Sequence, residues 1–218
     1  MGSNLMKVSK NWIFDFDGTL VDSAPAIKKC YGIVTNKVAP KRINMVKNLL
    51  IGPTLIETAK KILGPEAIDK MDDFILQFKH EYDQILLSET KSYDNADQVL
   101  KELKSRGDKI AIATNKRKEP TFKLIKHLGW NDYFNWVECV NLENELKKNK
   151  SDLVKSILLN EVDFQNAFFV GDTINDGLCS KENNLRFIKA SYGYSERSGW
   201  EEIKIFKDIY GLTEILNI

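Results

Sequence analysis

The sequence predicts an α/β fold, a doubly wound parallel sheet into which an all-helical unit is inserted. Short apolar runs that end abruptly in polar residues indicate strands buried on both faces, as parallel sheets require. Amphipathic stretches of helical period separate these runs, which favours strand–helix–strand units. Residues 22–93 break this alternation, because they show helical periodicity and no convincing strand.

Each predicted strand is a run of four or five mostly apolar residues. The first, Asn-Trp-Ile-Phe at 11–14, leads directly into an acidic segment. Two others end in Thr-Asn and in Gly-Asp, and the remaining two are weaker. The predicted strands are residues 11–14, 109–113, 136–139, 167–170 and 186–190.

The predicted helices have apolar residues on one face and end at glycine or begin near proline or serine. Between the strands they are residues 95–106, 119–128 and 151–159, the last with Ser151 as its cap. Gly-Pro pairs at 52–53 and 64–65 divide the insert into helices at 26–36, 53–63 and 65–87. The predicted domains are therefore a core of residues 1–21 and 94–218 and a helical cap domain of residues 22–93.

Composition and charge indicate an ordinary soluble globular protein. Hydrophobic residues make up 43% and the net charge is +1, so no basic excess points to nucleic acid. The three cysteines, Cys30, Cys139 and Cys179, are far apart and show no metal-ligand spacing. No apolar run is long enough for a membrane span or a secretory signal. We expect a cytoplasmic monomer or homodimer that binds neither nucleic acid nor membrane.

Polar residues follow three of the predicted strands and should meet at one edge of the sheet. They are Asp15 and Asp17, Thr114 and Asn115, and Asp172. Ligands of open α/β sheets bind at the carboxyl ends of the strands. Carboxylates crowded together need a compensating cation, and oxygen ligands without His or Cys favour Mg²⁺. Such a site suits a phosphate substrate.

Four segments closely resemble the four motifs of haloacid-dehalogenase-like (HAD) phosphatases, in the same order. They are DFDGTLVDS at 15–23, IATNK at 112–116, Lys150 ahead of an amphipathic helix, and FVGDTIND at 169–176. The resemblance covers nearly the whole chain, and the helical insert takes the place of the family's C1-type cap. It implies a three-layer Rossmann-like core and a Mg²⁺-dependent phosphatase of the phosphoglycolate-phosphatase-like branch.

The resemblance also implies catalytic and phosphate-binding roles. Asp15 would attack phosphorus and form an aspartyl-phosphate. Asp17 would protonate the leaving oxygen and then activate water. Phosphoryl oxygens would be bound by Thr114, the backbone amide of Asn115, and Lys150.

The same resemblance implies a metal site. Mg²⁺ would be bound by Asp15, by Asp172 and by Asp17 through its backbone carbonyl. Asp176 would lie close to the ion or support its ligands. An EF-hand reading of this segment fails, because the glycine stands at loop position four and position twelve is alanine.

Some residue assignments keep alternatives. Lys147 and Lys148 compete with Lys150 for the role of the third motif's lysine, and Lys150 is preferred because a helix is predicted to begin directly after it. Asp176 is predicted to be a site residue, although a helix start also favours aspartate there. Asp22 is predicted to be structural, as a cap of the first inserted helix.

Several functions share this set of residues. Haloacid dehalogenation and phosphonate hydrolysis are disfavoured by the presence of Asp17, which protonates an ester leaving group. Phosphoglucomutase-like phosphoryl transfer and hydrolysis of pyrophosphate or nucleotides remain alternatives, and non-catalytic phosphate binding is a minor one. Candidate substrates include phosphoglycolate and sugar phosphates. Residues 44–48 through 52–54 are predicted to face the substrate.

Overall fold

A parallel sheet forms the centre of the computed structural model, which describes residues 9–140, 149–160, 164 and 166–218. The strands are β1 (Asn11–Phe14), β2 (Val21–Asp22), β3 (Lys91–Ser92), β4 (Lys109–Arg117), β5 (Trp136–Val140), β6 (Phe168–Gly171), β7 (Arg186–Ala190) and β8 (Ile205–Ile209). Six of them form one sheet of order β5-β4-β1-β6-β7-β8, in which every neighbouring pair is parallel. β2 and β3 form a separate antiparallel ribbon.

Helices cover both faces of the sheet and fill the insert. The α-helices are α1 (Ala24–Val38), α2 (Leu55–Leu63), α3 (Met71–Glu89), α4 (Ala96–Ser105), α5 (Lys118–His127), α6 (Lys150–Asn160) and α7 (Ile174–Glu182). The 3₁₀ segments are Pro40–Val46, Pro65–Lys70 and Leu212–Asn217. None of the described helices combines the length and apolar character needed to cross a membrane.

Alternate residues of the central strands supply two hydrophobic cores. Ile13 of β1 points to a core shared with Leu153 and Ile157 of α6. Its neighbours Trp12 and Phe14 point to the other face, where α4 and α5 pack. Period-two burial on both faces gives the three-layer α/β architecture that the sequence predicts.

The insert leaves the sheet after β1 and returns before β4. Its helices α1 and α3 pack through aromatic rings, with Tyr31 and Phe78 centroids 4.4 Å apart. The β2–β3 ribbon, in which Val21 pairs with Ser92, joins the insert to the sheet. The helical unit is therefore held at the carboxyl edge of the sheet, above the ends of β1 and β4.

Two boundaries differ from the sequence prediction by more than two residues. β4 continues to Arg117 instead of ending at residue 113, because pairing with β5 persists to Val140 across a register irregularity. The helix predicted at 65–87 is a 3₁₀ segment followed by α3, because Ala67 has a non-helical φ of −136°. Thr114 and Asn115 therefore belong to the strand itself.

A third difference concerns the start of α6. The predicted cap, Ser151, lies inside this helix. Asn149 performs that role, since its side chain accepts a hydrogen bond from the Asp152 amide at 2.9 Å. α7, β8 and the β2–β3 ribbon were not predicted as elements.

Candidate active site

The predicted polar residues lie together at the carboxyl edge of the sheet. Asp15 follows β1, Asp172 follows β6, and Thr114 lies in β4, which are neighbouring strands. The side chain of Lys150, the first residue of α6, reaches the same place. The strand order thus places the acids and the lysine at one point, because adjacent parallel strands end side by side.

Three buried carboxylates form the centre of this site. Oxygen atoms of Asp15, Asp172 and Asp176 lie within 4.8 Å of one another. Lys150 Nζ lies 2.9 Å from Asp15 Oδ2 and 2.6 Å from Asp176 Oδ1, and the lysine is 2% exposed. One lysine therefore faces three carboxylates, so the cluster is short of positive charge.

The shortage of positive charge also appears in the pKa shifts of the carboxylates and of the lysine. Burial raises the pKa of Asp15 to about 7, and Lys150 opposes that rise while Asp176 adds to it. Burial and the charges of Asp176 and Asp15 raise the pKa of Asp172 well above its ordinary value. Burial by itself would lower the pKa of Lys150, but the two neighbouring carboxylates outweigh it and raise that pKa. A bound cation would relieve the same repulsion.

The residues fit a divalent cation. Asp15 Oδ1 is buried and has no hydrogen-bond partner among the described residues, so the carboxylate cluster is incomplete without a bound group. Asp172 is held by Thr19 Oγ1 at 3.0 Å and by the Tyr194 amide at 2.7 Å. Gly18 has a φ of +87° and lies against Asp172. A Cβ on residue 18 would lie 2.1 Å from Asp172 Oδ2, so the position of this carboxylate requires a glycine. An all-oxygen donor set of this kind suits Mg²⁺.

Asp176 has two functions in the fold of this site. It caps α7 together with Thr173, whose amide donates to Asp176 Oδ2 at 2.9 Å. Its other oxygen accepts from Lys150. The aspartate is therefore both the helix-start residue and a member of the carboxylate cluster.

Asp17 lies beside the cluster and has its own cation. Its Oδ1 accepts from Ser23 Oγ at 2.6 Å and from Lys116 Nζ at 3.0 Å. Lys116 Nζ also forms a 2.6 Å hydrogen bond with the hydroxyl of Tyr82 in α3. Burial would lower the pKa of Lys116, but Asp17 and Tyr82 raise it. Lys116 thus remains charged and links Asp17 to the helical insert.

Thr114 and Asn115 line the cavity above Asp15. Thr114 Oγ1 accepts from the Lys116 amide at 3.2 Å, and its side chain is 1% exposed. Asn115 Nδ2 donates to the Gly52 carbonyl at 2.9 Å, while its Oδ1 is buried without a partner among the described residues. Asn115 therefore forms a second contact between the sheet and the insert.

The site opens into a cavity of about 70 Å³ between the sheet and the insert. Its polar wall contains Asp15, Asp17, Thr114, Asn115, Lys116, Arg117 and Lys150, and its apolar wall contains Ile27, Tyr31, Leu50, Phe78 and Tyr82. Of the segment predicted to face the substrate, the part near Gly52 and Pro53 lines this cavity, whereas residues 44–48 do not.

Several site residues gave no sequence signal of a role. Lys116 stands in the second motif without an assigned function, and its partner Tyr82 is 34 residues away. Arg117 is buried and lines the cavity, and Tyr194 follows no recognisable motif. Only the tertiary fold brings these residues to the acids. Lys147 and Lys148, the alternatives to Lys150, lie outside the described residues.

Asp22 has a local structural contact. Its Oδ1 accepts from the Ala24 amide at 3.2 Å and from the Tyr194 hydroxyl at 2.9 Å. The first of these bonds lies at the start of α1, although the N-cap position belongs to Ser23, which makes no side-chain capping bond. Asp22 is therefore not the cap that the sequence predicts.

Comparisons with known proteins agree with this geometry. Residues 12–190 match the family model for haloacid dehalogenase-like hydrolases. A phosphoglycolate phosphatase of Psychrobacter arcticus is 31% identical over 84% of both chains, and the pyrophosphatase PpaX of Bacillus cereus is 26% identical over 88% of both. The crystal structure of a predicted phosphoglycolate phosphatase from Haemophilus somnus 129pt superposes with a TM-score of 0.81 at 21% identity, covering 96% and 97% of the two chains.

The family match covers most of the chain, including all four motif segments. The six-stranded parallel sheet and its helices give the same fold as the solved structure. The chain belongs to the haloacid dehalogenase-like hydrolase family and is an enzyme of that family.

Proposed function

We propose that this enzyme is a Mg²⁺-dependent phosphatase that hydrolyses small phosphate monoesters through an aspartyl-phosphate on Asp15. The observation that carries this proposal is the pairing of Asp15 with Lys150 inside the three-carboxylate cluster. One oxygen of Asp15 is held by the lysine, and the other is buried without a hydrogen-bond partner among the described residues. That second oxygen is free to attack phosphorus in the adjoining cavity.

The proposed reaction has two displacement steps. In the first, Asp15 Oδ1 forms a bond to phosphorus, the ester P–O bond breaks, and Asp17 gives a proton to the leaving oxygen. In the second, Asp17 takes a proton from water, the water oxygen bonds to phosphorus, and the bond from phosphorus to Asp15 breaks. Inorganic phosphate is released and both aspartates regain their starting forms.

The remaining site residues would bind and stabilise the phosphoryl group. Thr114, the amide of Asn115 and the ammonium of Lys150 would donate to its oxygens. Mg²⁺ bound by Asp15, Asp172 and the carbonyl of Asp17 would neutralise phosphoryl charge. Residues 22–93 would act as a cap domain that closes over the core of residues 1–21 and 94–218 and excludes water.

The relatives suggest the first compounds to assay. Phosphoglycolate phosphatases and a pyrophosphatase are among the curated relatives, so phosphoglycolate and pyrophosphate are the leading candidates. Sugar isomerisation without release of phosphate would favour the phosphoglucomutase-like alternative. Phosphate binding without turnover would favour the non-catalytic alternative.

The test is hydrolysis of an aryl phosphate with and without Mg²⁺. We expect turnover only with the metal and a loss of more than about 1,000-fold in Asp15→Asn, because an amide cannot replace the carboxylate that forms the proposed covalent intermediate. Asp132→Asn, at an exposed turn, is the matched control and should keep full activity. Near wild-type turnover in a folded Asp15→Asn protein would refute the nucleophile.

A further inference from the structure

Arg117 is a buried cation with an unpaired donor nitrogen. Its residue is 7% exposed, and its Nη2 has no hydrogen-bond partner among the described residues. The nearest carboxylate oxygens are Asp83 Oδ1, 3.7 Å from Nη2, and Glu119 Oε2, 4.0 Å from Nη1. Both distances are too long for a hydrogen bond. A buried donor nitrogen without an acceptor is costly, so this position favours a ligand that accepts a hydrogen bond from Nη2.

The two carboxylates near Arg117 are poor substitutes for such a ligand. Asp83 accepts a hydrogen bond from Lys123 at 2.8 Å, which is its close partner. The side chain of Glu119 is 64% exposed, so water screens it. Neither carboxylate satisfies Nη2.

Arg117 lines the same cavity as Asp15 and Lys150. It comes from the end of β4, yet its charge acts on Cys30 and Tyr31 of α1. Burial raises the pKa of the Cys30 thiol to about 12, and Arg117 opposes that rise. Lys150 instead pairs with Asp15 and Asp176. The cavity thus has one cation at the phosphoryl site and another beside the helical insert.

The third cation of the cavity wall is already occupied. Lys116 Nζ binds both oxygens of Asp17, at 3.0 and 3.2 Å, and the hydroxyl of Tyr82. Arg117 is therefore the cavity cation with a free donor. A guanidinium presents two parallel N–H groups that match the oxygens of a carboxylate or a phosphate.

We propose that Arg117 binds a second anionic group, carried by the leaving group of the substrate, and so determines specificity. The proposal rests on the phosphatase function proposed above and deepens it. The substrate class is a phosphate ester or anhydride whose leaving group is short and bears a carboxylate or a phosphate. A leaving group that reaches Arg117 must be short, because the cavity that Arg117 lines measures about 70 Å³, roughly five times the space that one water needs. An adjoining cavity of about 500 Å³ shares Asn115 and Lys150 with it but is not lined by Arg117.

The competing explanation is that Arg117 only attaches the sheet to the insert through Asp83. The two explanations differ in which substrates should depend on the arginine. A purely structural arginine affects all substrates alike, whereas an anion-binding arginine affects only those with a second anion. The matched substrates are 2-phosphoglycolate and 2-hydroxyethyl phosphate, which differ by a carboxylate in place of a hydroxymethyl group. Pyrophosphate tests whether a phosphate serves as the second anion.

The experiment measures kcat/KM for the three compounds in wild type, Arg117→Met and Arg117→Lys. Wild type should prefer 2-phosphoglycolate, pyrophosphate or both over 2-hydroxyethyl phosphate. Arg117→Met should lower that preference about 10- to 100-fold, the effect of removing a charged hydrogen bond. Arg117→Lys keeps the charge without the paired donors, so it should lower the preference less; it also provides the test should the methionine variant fail to fold.

Asp83→Asn is the control, because it removes the carboxylate nearest to Arg117 and should leave the preference unchanged. Equal losses on all three compounds in Arg117→Met and Arg117→Lys would overturn the proposal, as would a wild type without preference for an anionic leaving group. Failure of the proposed function would look different, since wild type would then hydrolyse none of the three compounds with Mg²⁺.

Discussion

Asp172, which follows β6, and Asp176, in the first turn of α7, are both fully buried, but their electrostatic partners differ. Asp176 accepts from Lys150 at 2.6 Å, so a positive charge compensates it directly. Asp172 accepts only from Thr19 and Tyr194 among the described residues. Burial and two like charges therefore raise its pKa well above the ordinary value. At the scale of single residues, Asp172 is the carboxylate that most requires a cation.

This difference predicts a pH dependence of stability in the metal-free protein. Burial raises the pKa of Asp15 to about 7 and that of Asp172 well above its ordinary value, whereas unfolding returns both carboxyls toward 3.8. The folded state then binds more protons than the unfolded state, so the free energy of unfolding falls as pH rises from about 4 through 7. Saturating Mg²⁺ should remove this fall. Urea titrations across this pH range, with Mg²⁺ and with a chelator, measure the free energy of unfolding.

The control for this prediction is Asp172→Asn. Without that carboxylate, the metal-free protein should lose less stability across the same pH range and gain less from Mg²⁺. Identical slopes for the variant and the wild type would show that Asp172 is not the group under electrostatic strain.

At the scale of elements, the loop after β7 joins the carboxylate cluster to the start of the insert. The Tyr194 amide donates to Asp172, while its hydroxyl accepts from the amides of Ser23 and Ala24 at 2.8 and 2.9 Å. The same hydroxyl donates to Asp22 of the β2–β3 ribbon. One residue thus fixes both a proposed metal ligand and the connection on which the insert would turn.

Tyr194→Phe separates these two contacts. The variant keeps the amide bond to Asp172. It leaves the Ser23 amide without an acceptor among the described residues and the Ala24 amide with only its longer bond to Asp22, so we expect a loss of about 1–3 kcal/mol in the free energy of unfolding. Mg²⁺ affinity, measured by calorimetry, should change little. Tyr192→Phe removes a single bond to the Thr19 carbonyl and should cost less. A large drop in Mg²⁺ affinity in Tyr194→Phe would show that the hydroxyl also positions Asp172.

The elements that the sequence predicts are those whose signals are local. Apolar runs identify β1 and β6 because both strands are buried on both faces. β8 has Lys207 and Asp208 within a strand at the edge of the sheet, so it lacks an apolar run. α7 contains Asn175 and Gly177, which are weak helix formers, and it starts through the pairing of Thr173 with Asp176.

The site residues can be divided in the same way, into those that a local pattern predicts and those whose contacts depend on tertiary packing. Asp15 and Asp172 follow strands and lie within motifs, so their meeting is predictable from the order of a parallel sheet. The neighbours of Lys116 and Arg117 depend on how α1 and α3 pack over β4. Tyr82 and Asp83 are more than 30 residues away from these cations along the chain, and no local pattern relates them.

At the scale of the whole molecule, few polar contacts among the described residues hold the helical insert against the core beside the cavity. Tyr82 binds Lys116, the Gly52 carbonyl accepts from Asn115, and Asp83 pairs with Lys123. The last pair is largely exposed, at 33% and 49% for the two side chains, and such pairs contribute at most about 1 kcal/mol. We expect a closed arrangement held by this small set of contacts to exchange with an open one when the cavity is empty.

Closure of the helical insert over the cavity should therefore depend on a ligand bound at Asp15. Beryllofluoride mimics an acyl phosphate and, with Mg²⁺, should occupy the cavity and favour the closed form by its differential affinity. We expect the radius of gyration from X-ray scattering to decrease on adding both reagents to wild type. Asp15→Asn, which lacks the attacking carboxylate, should show no decrease. Profiles of wild type that stay the same with the mimic would mean that the insert already rests closed, and substrate would then have to enter through smaller local motions.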